Sequence, residues 1–143
     1  MRFMIIRKAD AETEGEDIPT PELFAAMGDY MEEMSKAGIL RGGDGLKPSR
    51  YGARIEFKGG TPTVIDGPFA ESKELVAGFT LIEVPTLAEA IAWLRKWPTL
   101  DANGNARLEI RPLYEAEDFG AAFTDEERAR EDRLRAGLAG RQN

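Results

Sequence analysis

Apolar runs at the start, the middle and the end of the chain predict three strands. Residues 2–8 form a short apolar run, residues 74–84 form a longer one, and residues 107–114 alternate between apolar and polar side chains. Short β-branched runs favour strands over helices, and strict alternation favours a strand with one buried face. The pattern therefore predicts a sheet whose strands lie far apart in the sequence.

A second alternating pattern predicts a β-hairpin. In residues 53–58 every second side chain is apolar, and the dipeptide Gly59-Gly60 that follows suits a tight turn. Residues 61–66 would return as the second strand, with Pro62 at an edge. The hairpin would be an insertion ahead of the longest strand.

Two segments have the spacing of amphipathic helices. The first begins at Thr20, which suits an N-cap, and its apolar side chains recur every three or four residues. The second begins at Thr86, which forms a capping box with Glu89, and Pro98 ends it. A third helix is predicted in residues 124–143, where the apolar stripe is weak and charged pairs are common.

The glycine-rich segment between the first helix and the hairpin predicts a loop. Ile39 and Leu40 are compatible with the start of a short strand, but Gly42-Gly43-Asp44-Gly45 is typical of a turn. This segment does not match a phosphate-binding loop, because the Gly-Lys-Ser/Thr ending is missing and no helix begins after it. We therefore expect no nucleotide cofactor here.

The order strand, helix, hairpin, strand, helix, strand predicts an α+β protein. Its architecture would be a ferredoxin-like split βαβ sheet with an inserted β-hairpin. Both helices would cover one face of the sheet. A second copy of the chain would cover the other face, because two such sheets can close into a dimeric α/β barrel. We place the domain in residues 1–120 and treat residues 121–143 as a charged helical tail.

The residue types that are absent exclude whole classes of chemistry. The chain of 143 residues has no cysteine and no histidine. Thiol catalysis, thiolate metal sites and histidine-based proton transfer are therefore excluded. Asp101, Asn103 and Asn105 have the spacing of the first ligands of a calcium loop, but Ala106 and Pro112 occupy its glycine and glutamate positions. We expect a turn there, and no metal or other cofactor.

The net charge and the hydropathy of the chain limit the kinds of partner and the cellular location that we expect. The net charge of −7 argues against binding to the phosphate backbone of nucleic acids. No apolar run approaches the ~20 residues of a membrane-spanning helix. The N-terminal segment turns polar too soon for a signal peptide. We therefore expect a cytoplasmic protein with no nucleic-acid or membrane partner.

One long segment, VIDGPFAESKELVAGF at residues 64–79, resembles the DGPF-type YCII-related proteins. The opening RFMIIRK and the helix in LIEVPTLAEAIAWLRKWP match the same family, and the resemblance covers about residues 1–120. It implies a dimeric α/β-barrel fold and a bacterial protein whose relatives are often linked to genes for extracytoplasmic-function sigma factors. No established reaction comes with the family.

The wider YCII-related group is associated with acid–base chemistry by a His–Asp pair in a dimer cleft. Where relatives often carry that histidine, in the Gly-Leu-x-Pro-Ser stretch, this chain has Lys47. Asp66 keeps the aspartate of the DGPF motif. The resemblance thus implies a site near the dimer interface, but the proton-transfer residue of that site is missing.

The DGPF motif has the residue types of a structural turn. Asp66 would cap it, Gly67 would take an unusual φ, Pro68 would fix the bend and Phe69 would anchor the loop in the core. Charged residues around the turn form a candidate ligand-binding site: Lys47, Asp66, Glu71 and Lys73. Asp66 is the candidate for a catalytic group.

Three hypotheses for the function stay open. The favoured one is a homodimeric small-molecule-binding or regulatory protein without histidine-dependent catalysis. The second is an unusual enzyme with acid–base chemistry at Asp66 and Lys47 in a cleft near the dimer interface. The third is a protein-interaction partner in sigma-factor-linked signalling that uses the charged tail. Whether the chain is an enzyme stays undecided, and the missing histidine argues against it.

Overall fold

A computed structural model describes residues 1–70 and 72–141, apart from the side chain of residue 72. The strands are β1 (Arg2–Lys8), β2 (Leu40–Gly45), β3 (Ala53–Lys58), β4 (Thr61–Asp66), β5 (Val76–Glu83) and β6 (Leu108–Pro112). The α-helices are α1 (Pro21–Lys36), α2 (Leu87–Leu94) and α3 (Asp125–Ala139). The predicted strands and helices are therefore found close to their expected places.

The main sheet has the strand order β2-β5-β1-β6, and every neighbouring pair is antiparallel. Each βαβ half is split, because β5 lies between β1 and β2, and β1 lies between β5 and β6. This is the ferredoxin-like arrangement. Strands β3 and β4 form a separate hairpin between β2 and β5. The predicted α+β class and the ferredoxin-like sheet with an inserted hairpin are confirmed, and the dimeric barrel stays a prediction.

The glycine-rich turn prediction is wrong, because this segment forms the edge strand β2. Gly43 pairs with Thr80, and Gly45 pairs with Gly78. Glycine is a poor strand former, but the adjacent strand β5 offers a row of backbone partners that outweighs the local preference. The strand has six residues, of which only Leu40, Arg41 and Asp44 carry a side chain.

Both helices pack on one face of the sheet, as expected. The core combines Phe3 and Ile5 of β1 with Ile82 of β5, and Tyr30 and Met34 of α1 close over them. Helix α2 adds a buried alanine, and the Thr86 hydroxyl accepts a hydrogen bond from the Glu89 N–H at 3.2 Å at its start. These contacts position α1 across β1, β5 and β2.

The opposite sheet face carries side chains that point away from α1 and α2. Residues of β1 alternate between buried and half-buried, so that Met4 and Ile6 lie on this second face. Leu81 pairs with Met4 and Phe79 pairs with Ile6, which places all of them on the same side. The centre of this face is therefore apolar.

The chain forms two compact units, Met1–Pro112 and Leu113–Asn143. In the second unit, α3 begins after Thr124, whose hydroxyl accepts a hydrogen bond from the Glu127 N–H. The predicted division into residues 1–120 and 121–143 stays a prediction. Within the described part of the chain, no helix combines the length and the apolar composition that crossing a bilayer requires.

Candidate functional site

A cavity of about 490 Å³ lies between α1 and the main sheet. Its lining is mostly apolar. Leu23, Met27 and Met31 of α1 contribute to one wall, and Ile5 and Thr80 contribute from the sheet. The wall also includes side chains from the loop before α1 and from the segment after α2. The cavity is thus bordered by four parts of the first compact unit and is open to solvent on one side.

Glycines line this space, and Gly45 leaves part of it empty. Strand β2 contributes Gly43 and Gly45 to the wall, and β5 contributes Gly78. Gly45 pairs with Gly78, which in turn pairs with the buried Arg7, so these positions lie on the α1 side of the sheet. A Cβ added at Gly45 would meet no atom within 4 Å. The N-terminal half of α1 therefore faces open space.

One end of the cavity holds a buried ion pair between Arg7 and Asp101. The guanidinium donates from Nε to Asp101 Oδ2 at 2.8 Å and from Nη2 to Asp101 Oδ1 at 2.7 Å. The indole N–H of Trp97 also donates to Asp101 Oδ2, at 2.8 Å. Arg7 and Asp101 are each 9% exposed. A two-pronged pair with further donors is the strong form of this interaction.

The same arginine holds the loop before α1. Arg7 Nη2 donates to Asp10 Oδ2 at 2.9 Å. The other oxygen of Asp10 accepts the Thr13 N–H at 2.8 Å, and the Asp10 N–H donates to the Thr13 hydroxyl at 2.8 Å. Thr13 and Pro19 both line the cavity. The Arg7–Asp10–Asp101 cluster therefore connects β1, this loop and the segment after α2.

All three members of the cluster are charged at neutral pH. Burial would raise the pKa of Asp101, but hydrogen bonds from Arg7 and Trp97 outweigh it and hold the pKa below its ordinary value. Burial and hydrogen bonds from Thr13 and Arg7 act in the same way on Asp10, and its pKa is also lowered. The hydrogen bond to Asp101 raises the pKa of Arg7. With two carboxylates and one guanidinium, the cluster carries a net charge of minus one.

Sequence reasoning missed this cluster. The spacing around Asp101 indicates only a turn that resembles the start of a calcium loop, and the segment Asp101–Gly104 does form a turn. A usable signal was present in β1, where Phe3, Ile5 and Arg7 share one face by the alternation of a strand. An arginine on a buried face needs a carboxylate partner. The sequence does not say which of its many carboxylates that partner is.

The residues of the predicted ligand site lie elsewhere. Lys47 is exposed, with Nζ 5.5 Å from the centre of the Tyr51 ring. Asp66 is exposed at the end of β4, and Lys73 is exposed in a short 3-10 turn. Glu71 lies outside the described residues. Lys47, Asp66 and Lys73 are not among the residues that line the cavity.

The suggested pairing of Lys47 with Asp66 is not seen. Among the ion pairs of the described residues, none joins these two side chains. Asp66 stands opposite Ala53 in the hairpin. A ligand-binding role for Lys47, Asp66, Glu71 and Lys73 stays a prediction.

The DGPF turn is tied to two other loops. The Gly67 N–H donates to the Gly52 carbonyl at 3.0 Å, and the Phe69 N–H donates to the Ser49 hydroxyl at 3.1 Å. The Ser49 hydroxyl donates to Glu14 Oε2 at 2.6 Å. Glu14 belongs to the loop that also supplies Thr13 to the cavity wall. The motif therefore has a structural role, as predicted.

Two details of the turn differ from the prediction. Gly67 does not have a positive φ; a Cβ added there would lie 1.8 Å from the Ser49 carbonyl oxygen. Glycine is needed because two backbones approach closely, not because of an unusual dihedral angle. Phe69 is half-buried, with the Arg54 guanidinium 4.0 Å from its ring centre, and it does not join the main core.

The family model described as the YCII-related domain matches residues 1–114. The uncharacterised protein R00369 of Rhizobium meliloti (strain 1021) is 35% identical over 92 residues, which are 64% of this chain and 70% of that protein. A solved structure, 5-chloro-2-hydroxyhydroquinone dehydrochlorinase (TftG) from Burkholderia phenoliruptrix AC1100 in complex with 2,5-dihydroxybenzoquinone, has a TM-score of 0.47 and 16% identity, covering 80% of this chain and 95% of that one.

Substituting Gly67→Ala should destabilise the fold strongly. The new methyl group would overlap the Ser49 carbonyl, so the loops must separate, at a cost of about 2–4 kcal/mol. Gly52→Ala is the matched control, because a Cβ there meets only Ser49 O at 3.6 Å and the φ of −114° suits any residue. Urea unfolding of both variants measures the difference. Equal midpoints would contradict the close-approach explanation.

Substituting Arg7→Gln should reverse the pH dependence of stability. In the wild type, both carboxylates have a lowered pKa, so their contribution is present above about pH 4 and is lost only as the pH falls below that. Without the guanidinium, burial raises the pKa of Asp101, and stability is lost as the pH rises. The variant should lose about 3–5 kcal/mol at neutral pH and regain part of it near pH 5.

Urea unfolding at about pH 7.5 and about pH 5 checks the reversal. Lys36→Gln serves as the control, because that side chain is 75% exposed and its ion pair with the exposed Glu32 on the same helix contributes little. If Arg7→Gln is as stable as the control at neutral pH, the ion pairs of Arg7 do not stabilise the fold, and the prediction is contradicted.

Proposed function

This chain belongs to the YCII-related family, and within it we propose the function of a homodimeric small-molecule-binding protein that works without histidine-dependent catalysis. The observation that carries the proposal is the cavity between α1 and the sheet. The ligand would lie there, against Met27 and Met31 on one side and the glycines of β2 on the other.

The size and the lining of the cavity support a small ligand. Its volume of about 490 Å³ falls in the range of small-molecule sites, which is about 300–1,000 Å³. Such sites are mostly apolar and have a few polar groups that fix the orientation of the ligand. Here the apolar side chains come from α1, and the polar groups are concentrated at Arg7 and Asp101.

The state of the polar groups supports binding rather than proton transfer. A general base works best when its pKa lies near the working pH. The pKa values of Asp10 and Asp101 are held below their ordinary values, and both carboxylates are already hydrogen-bonded. They are weak bases at neutral pH, and the chain has no histidine to replace them.

Two apolar surfaces of the first unit, one half-buried and one exposed, support the homodimer. One is the sheet face that carries Met4 and Ile6. The other is one face of the hairpin, where Ile55 stands opposite Val64 and Phe57 opposite Pro62. Ile55, Phe57 and Val64 are 61%, 72% and 65% exposed. A second copy would remove such surfaces from water. A cytoplasmic location is part of the same proposal.

Light scattering should give a mass of about twice 15.8 kDa at micromolar concentration. Ile55→Lys should weaken the dimer, because it places a charge on the apolar face of the hairpin. Glu56→Lys is the matched control, since the neighbouring residue of a strand points to the other face. A monomer mass for the wild type would contradict the homodimer. Equal dimer affinity of the two variants would exclude the hairpin from the interface.

A thermal-shift screen against metabolites tests the cavity directly. A ligand that binds only the folded state raises the melting temperature. Gly45→Phe should abolish the shift, because the ring would occupy the empty space beside β2. Gly28→Ala is the control: this residue is exposed on α1, its added Cβ meets nothing within 4 Å, and alanine stabilises a helix by about 1 kcal/mol. A shift that Gly45→Phe retains would place the ligand outside the cavity.

A further inference from the structure

We infer that the cavity takes a largely apolar molecule with a hydrogen-bond donor at its polar end, and that it discriminates against anions. The inference rests on the proposed function, because it names the ligand class of the same cavity. An arginine at the end of an apolar pocket ordinarily indicates a carboxylate or phosphate ligand. The surroundings of Arg7 indicate the opposite.

The first argument is that the guanidinium is already engaged. Its Nε and Nη2 groups donate to Asp101, and Nη2 also donates to Asp10. Nη1 donates to the Lys8 carbonyl. Within the described part of the chain, this leaves a single N–H of Arg7 without an acceptor. A carboxylate or phosphate that binds through two parallel hydrogen bonds would have to displace Asp101.

The second argument is the sign of the local charge. Asp101 and Arg7 are the carboxylate and the cation whose side chains lie at the cavity, whereas Asp44 pairs with Phe79 and so points to the opposite face of the sheet. Asp10 is held on Arg7 from outside the lining. One positive and two negative charges leave a net charge of minus one. At about 7 Å and an effective dielectric constant near 20, repulsion by one such charge lowers the affinity for an anion by roughly tenfold or more.

The third argument concerns the remaining hydrogen-bonding capacity. Asp101 Oδ2 accepts from both Arg7 and Trp97, whereas Oδ1 accepts only from Arg7 among the described residues. A carboxylate has about four acceptor positions, so Asp101 can accept one further hydrogen bond. An N–H or O–H group of a ligand would fill that position. A ligand with only acceptors would leave it unpaired.

Two fluorescent dyes form a matched pair of probes. N-phenyl-naphthylamine is uncharged and carries one N–H donor, and anilinonaphthalene sulfonate has the same skeleton with an added sulfonate. Both fluoresce strongly only when removed from water. We expect N-phenyl-naphthylamine to saturate the wild type and to bind at least about tenfold more tightly than the sulfonate. Gly45→Phe should abolish its binding, and Gly28→Ala should leave it unchanged.

The outcomes separate the two proposals. If the sulfonate binds the wild type as tightly as the uncharged dye, and Gly45→Phe blocks both, the ligand class is wrong but the cavity is a binding site. If Gly45→Phe, with a circular dichroism spectrum like that of the wild type, changes the binding of neither dye, the cavity proposal itself fails.

A charge variant tests the electrostatic argument by itself. Asp10→Asn removes one negative charge but keeps an oxygen that can accept the Thr13 N–H. It should raise the affinity for the sulfonate relative to the uncharged dye by about threefold or more. An unchanged ratio of the two affinities would contradict the role of the net charge.

Discussion

The ion pair between Arg7 and Asp101 is the interaction on which the candidate site depends. It joins residues 94 positions apart, one in the central strand β1 and one in the turn after α2. Breaking a buried pair by removing one partner costs about 3–5 kcal/mol, because the remaining charge is left in a poor solvent. The pair therefore fixes the distance between the sheet and the segment that carries Trp97. The loop before α1 is attached to the same arginine through Asp10.

The glycines of β2 and β5 are the second constraint. A protein interior normally fills its space, and a cavity forfeits packing contacts and lowers stability. Here the empty space lies between a hydrophobic helix face and a sheet edge where Gly45 carries no side chain, and the charged pair of Arg7 and Asp101 lies in the same lining. Larger side chains on β2 would fill this space and pack against the methionines of α1. The hollow is therefore a product of particular residues and agrees with a ligand that supplies the missing contacts.

The fold could be predicted from the sequence because its signals are local. Each signal involves neighbours in the chain: the hydrophobic period of the strands and helices, the N-caps Thr20 and Thr86, and the Gly59-Gly60 turn. Strand β2 could not be predicted, because its pairing with β5 overrides the preference of four consecutive turn residues. The site was missed for a similar reason. The partner of Arg7 lies 94 positions along the chain, whereas the charged residues near the DGPF motif are neighbours in sequence.

The DGPF motif illustrates the difference between recognising a segment and explaining it. The sequence indicates that the segment is a turn, and the backbone shows why glycine occupies position 67: the Ser49 carbonyl leaves no room for a side chain. Through Ser49 and Glu14 the turn holds the loop that lines the cavity. The motif thus holds a loop of the candidate site in place, but none of its own residues lines the cavity.

The most direct test is a nuclear magnetic resonance titration of the methionine methyl groups with N-phenyl-naphthylamine. Two of the five methionines, Met27 and Met31, line the cavity, and Met4 lies on the opposite face of the sheet. A ligand between α1 and the sheet should shift the signals of Met27 and Met31 and leave that of Met4 in place. A shift confined to Met4 would place the ligand on the other sheet face and contradict the cavity as the binding site.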